Sequence, residues 1–81
     1  MENEATVDTS DIVIHIDENL DDEHRQAIVH QLSHQEGVVS VSNHKKTPHL
    51  LVVMYDHTKV NSAELLASVT KNGVHAELVG L

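Results

Sequence analysis

The residues with chemistry to offer in this chain are histidines and carboxylates. Eight His and thirteen Asp or Glu stand among 81 residues, and there is no Cys. Imidazole nitrogen and carboxylate oxygen suit borderline divalent ions such as zinc, nickel, cobalt and copper(II), whereas gripping copper(I) between two thiolates is excluded. Three groupings stand out. Asp21-Asp22-Glu23-His24 gathers three carboxylates and an imidazole in consecutive positions. His30 and His34 are spaced i, i+4, which sets two side chains on one ridge of a helix. His15, His75 and Glu77 lie in two strand-like segments near opposite ends of the chain, and they meet if those segments pair side by side. Each grouping has a plainer account as well. Acids that open a helix cap it and complement its dipole, and solvated His is common in so His-rich a chain. With no Cys, no glycine-rich phosphate loop and no nucleophile elbow, no catalytic set emerges, and the expectation is a protein that is not an enzyme.

Composition narrows the partners. Thirteen acids against five bases give a formal charge of -8, which repels phosphate backbones and anionic lipid surfaces. Tyr55 is the one aromatic residue, so bases would find almost no stacking platform. Neither a nucleic-acid partner nor membrane insertion is expected, since no stretch approaches the ~18 apolar residues a span needs. Disulfides, thiolate zinc sites and iron–sulfur clusters are excluded with the thiols. The opening residues are polar and acidic, unlike a secretory leader, which points to a cytoplasmic protein. Protonation of eight imidazoles, whose ordinary pKa is ~6.5, would carry the charge towards zero, so solubility should depend on pH below neutrality.

The elements that must position these groups are legible from periodicity. Residues 1–10 read as a disordered N-terminal tail and 11–81 as one domain. From Asp11 to Asp17, Ile12, Ile14 and Ile16 alternate with Val13 and His15, the pattern of a half-buried strand. Asp21 to Glu23 open a helix with Ala27, Ile28 and Leu32 as its apolar stripe, and Gly37 closes it. Val38 to Asn43 reads as a second strand with Val39 and Val41 on one face, and Leu50 to Tyr55 as a third, apolar on both faces. Asn61 or Ser62 caps a second helix carrying Leu65, Leu66 and Val69, and Val74 to Val79 is the last strand. Strand–helix–strand–strand–helix–strand with right-handed crossovers predicts a ferredoxin-like βαββαβ two-layer sandwich, α+β, with an antiparallel sheet in the order 4-1-3-2 and both helices on one face. If Leu51, Val53 and Tyr55 face the helices, Leu50, Val52 and Met54 face out, joined by Val13 and Val79. Such an apolar patch on an uncovered sheet suggests a homodimer or a protein partner.

Four phrases in order resemble the heavy-metal-associated domains of copper chaperones and heavy-metal P-type ATPases. They are strand one, Glu36-Gly37-Val38-Val39-Ser40-Val41, the run from Tyr55-Asp56 through Val60 to Leu65, and Lys71-Asn72-Gly73-Val74-His75-Ala76-Glu77-Leu78. The resemblance covers roughly residues 12–80 and implies a metal-related context. That family carries G-M-x-C-x-x-C between strand one and helix one. Here Glu18 to His24 occupy that loop, with Asp21 and His24 at the two Cys positions, and Val74 replaces the aromatic or Lys beside it. The resemblance thus places a candidate site at Asp21 and His24, with Asp22 and Glu23 as further oxygen donors. His15, His75 and Glu77 form an alternative.

Overall fold

Alternation along the first segment does what two-period patterning requires: Ile14 and Ile16 are buried while Val13 and His15 turn to the other face. The structure, a computed structural model, describes residues 8–79. Its elements are β1 (Thr9–Ile16), α1 (Asp22–Ser33), β2 (Val38–Ser42), β3 (Leu50–Asp56), α2 (Ser62–Thr70) and β4 (Ala76–Val79). The strands form one antiparallel sheet in the order β2-β3-β1-β4, the predicted order read from its other edge. Both helices lie on the face that carries Ile14, Ile16, Leu51, Val53 and Tyr55. Ile28 and Leu32 of α1, Leu65 and Val69 of α2, and Val60 between β3 and α2 complete the core. The opposite face is uncovered among the described residues.

Several local expectations are corrected. β1 begins at Thr9, so Thr9 and Ser10 belong to the sheet, where they pair with Asp56 and Tyr55. Asp8 precedes the strand and its carbonyl accepts the His57 N–H, and residues 1–7 of the expected tail lie outside the described residues. Ala27 is exposed, and the stripe of α1 is Ile28 and Leu32 with Val29 beside them. In β2 a bulge interrupts the alternation: Val38 pairs with Tyr55 and Ser40 with Met54, leaving Val39 as the extra residue. Val39 is therefore 55% exposed, and Val38 and Val41 face the core instead. The last strand starts at Ala76, because the chain before it turns at Asn72-Gly73.

One glycine ties two parts of the scaffold together. Gly37 has a φ of 91°, and a Cβ there would stand 2.8 Å from Cγ1 of Val60. Its carbonyl accepts the Asp56 N–H at 2.7 Å. The turn before β2 thus rests directly on the link between β3 and α2. Gly37→Ala would combine a left-handed backbone with a clash against a buried valine, and a loss of about 1–3 kcal/mol in urea denaturation is expected.

A candidate metal site on the open sheet face

His15 lies on β1 directly opposite Glu77 of β4, on the uncovered face. Its Nδ1 donates to Oε2 of Glu77 at 2.6 Å and, at 3.1 Å, to Oδ1 of Asp17. Carboxylates only accept, so one N–H is shared between two anionic oxygens. These donor atoms lie within 4.8 Å of one another, and no other group of three His or acid ligands that close occurs among the described residues. A divalent ion in place of the shared proton would meet one nitrogen and two oxygens. His49 adds to the arrangement: its ring stacks on His15 with centroids 5.6 Å apart. Its Nδ1 donates to the Ile16 carbonyl at 2.6 Å, so in the neutral ring Nε2 carries the free lone pair.

The sequence groups His15 and Glu77 with His75. The structure sends His75 elsewhere. Its ring Nδ1 lies 2.7 Å from Oε2 of Glu18, and its backbone N–H donates to the same carboxylate. Asp17 takes the third place. The signal for Asp17 was present, since it lies two residues after His15 and therefore on the same side of the extended chain. His49 carried no such signal, because its ring is aimed by a hydrogen bond to a neighbouring strand.

The β1–α1 loop brings Asp21 and His24 together, but as a helix cap. Oδ1 of Asp21 accepts the His24 backbone N–H at 2.9 Å and the His24 ring Nδ1 at 2.6 Å. Asp22 is paired with Arg25, and Glu23 is exposed on the first turn of α1. Arg25, largely buried, also donates to the Leu20 carbonyl at 2.9 Å and to Oδ1 of Asn43 at 3.0 Å. Asn43 in turn donates to the carbonyls of Pro48 and Leu50. Arg25 and Asn43 thus tie the loop to the β2–β3 connection, around a cavity of about 50 Å³ between Leu20, Arg25 and Pro48, room for a few waters. At the end of α1, His30 and His34 have ring centroids 4.3 Å apart, yet Nδ1 of His34 is committed to the His30 carbonyl.

The two His–acid pairs outside the cluster set a pH dependence. Hydrogen bonds from the His75 ring and then its backbone hold Glu18 below its ordinary 4.5, and the His24 backbone and then its ring hold Asp21 below 3.8. The bonded carboxylates raise His75 and His24 above 6.5. The acids contribute stability above their ordinary values and lose it as pH falls through the depressed ones. The imidazoles contribute fully below 6.5 and lose it as pH rises through the raised values. Both pairs are complete between roughly pH 4.5 and 6.5. Thermal unfolding from pH 4 to 9 should therefore show stability falling as pH rises above 6.5 in the native chain, and less so in a His24→Gln/His75→Gln variant. Because all four groups are exposed, the difference should shrink in high salt.

Among the described residues, no helix is long and apolar enough to cross a membrane. The sequence matches no family model and no curated protein. Solved structures do match. A copper-binding domain from a P-type ATPase superposes with a TM-score of 0.78 at 16% identity, covering 86% of this chain and 93% of that one. The yeast copper transporter domain studied in apo and copper(I)-loaded states gives 0.76 at 17%, covering 86% and 94%. The mercury-bound form of MerP, a periplasmic protein of the bacterial mercury detoxification system, gives 0.73 at 19%, covering 89% and 99%. The predicted sandwich is thus the fold of known copper- and mercury-binding domains, here without a single cysteine.

Proposed function

We propose that this domain is a non-catalytic metal-handling module that takes a borderline divalent ion (zinc, nickel, cobalt or copper(II)) through imidazole and carboxylate rather than through sulfur. The observation that carries the reading is the convergence of His15, Asp17 and Glu77 within 4.8 Å on the open sheet face. The fold shared with copper- and mercury-binding domains supports it. One nitrogen and two oxygens match the hardness of these ions and leave a fourth position for water or a further donor such as His49. Asp21 and His24 offer two donors, and the Asp21 oxygen that would bind is already capping α1. Three exposed ligands imply binding in the micromolar range and a site from which the ion leaves readily. Calorimetric titration of the full chain with zinc near pH 7.5 should give one site per chain. Absence of heat and of any zinc-dependent rise in melting temperature at millimolar metal would refute the reading.

A second reading, an interaction module, is favoured by the exposed Val52, Met54 and Val79 on the same face, flanked by Val13 and Leu50. It needs no metal and does not compete with the first.

A further inference from the structure

The uncovered face of the sheet has a composition as well as an exposure. By register, Asp11 stands opposite Met54, Val13 opposite both Val52 and Val79, and His15 opposite Leu50 and Glu77. The centre is therefore aliphatic, with Val52, Met54 and Val79 between 36% and 39% exposed. Around it stand Asp11, Asp17, Asp56 and Glu77, four carboxylates on the margin of one apolar patch. None of the four strands contains Lys or Arg. The five basic residues are Arg25, Lys45, Lys46, Lys59 and Lys71, in α1 and in the turns.

We infer that this face docks a protein segment that presents aliphatic side chains flanked by Lys or Arg. The inference rests on the interaction reading above and concerns the metal-free face, since an ion held by Asp17 and Glu77 would offset two of the four margin charges. An apolar core with a charged margin is the usual anatomy of a non-obligate interface, and the sign of the margin selects the partner. A second copy of this chain is disfavoured, because face-to-face pairing would set four carboxylates against four on chains that each carry a charge of -8. An anionic membrane is disfavoured for the same reason. The aliphatic centre supplies burial once the partner has arrived, and the acidic margin steers it there and fixes its orientation.

The test uses the full labelled chain at pH 7.5 and two synthetic amphipathic peptides of equal length, one of Leu and Lys and one of Leu and Glu. The Leu/Lys peptide should shift the amide signals of Asp11, Val13, Val52, Met54, Glu77 and Val79. Its affinity should fall by about tenfold or more between low salt and 0.3 M salt, since screening at that ionic strength acts within several ångströms. A Val52→Ser/Met54→Ser variant, altered only at exposed positions, should stay folded with a melting temperature lowered by no more than about 10 °C, and bind more weakly. Equal binding of the Leu/Glu peptide at the same residues would keep the docking face and overturn its preference for a basic partner. Shifts confined to Asp22, Glu23, Glu36 and Glu64, no binding of either peptide, or a dimer at pH 7.5 in sedimentation would overturn the inference itself.

Discussion

Leu51→Ala is expected to remove about 3–5 kcal/mol of unfolding free energy, read from urea denaturation, because it empties the middle of the core. Leu51 is 0% exposed, pairs across the sheet with Ile14, and lies in one cluster with Leu32, Leu65 and Val69. A domain of this size holds roughly 5–10 kcal/mol in total, so the substitution should remove between about a third and all of it. The neighbouring Val52→Ala supplies the contrast. It sits on the same strand with its side chain on the uncovered face, and its cost should stay near 0.5 kcal/mol. Equal losses from the two substitutions would mean that the sheet is not one-sided, and the docking face would go with it.

His15→Ala is expected to weaken zinc binding by at least about 100-fold, or ~2.7 kcal/mol, in a calorimetric or dye-competition titration. Loss of an outer partner of a metal ligand already costs 10–100-fold, and His15 is the one nitrogen within the group. Asp17→Asn and Glu77→Gln each remove an anionic oxygen and should weaken binding by about 10–100-fold. His24→Ala should leave zinc affinity within about threefold, since the three ligands that determine it lie elsewhere. Because His15 is on the surface of the sheet, its removal should hardly change the melting temperature of the metal-free chain. Weakening that follows His24 instead would return the site to the β1–α1 loop.

The part of this account that was legible in the sequence is the part set by local periodicity. Ile12, Ile14 and Ile16 announce β1, Asp21 announces the start of α1, and Asn61 or Ser62 the start of α2, where Asn61 is the cap and forms a capping box with Glu64. The phrases shared with heavy-metal-associated domains turn out to be scaffold contacts: Gly37 accepts from the Asp56 N–H and packs on Val60, so two of them touch each other. These contacts hold the scaffold together without calling on the β1–α1 loop. What could not be read depends on long-range geometry. The bulge that turns Val39 outward is a property of the β2–β3 pairing, not of either strand. The exchange of His75 for Asp17 follows from the Glu18 carboxylate, which holds the His75 backbone and ring together. Nothing in the sequence of α1 indicates that the Arg25 guanidinium crosses to Leu20 and Asn43.

In the proposed function a divalent ion is held by imidazole and carboxylate on the sheet face, not by the β1–α1 loop. Zinc titrated into labelled full-length protein, followed residue by residue, tests it most directly. The signals of His15, Asp17 and Glu77 should shift together at micromolar zinc, His49 with them, while Asp21 to His24 stay in place. Movement of Asp21 to His24 with His15 and Glu77 unchanged, or a spectrum indifferent to excess zinc, would contradict it.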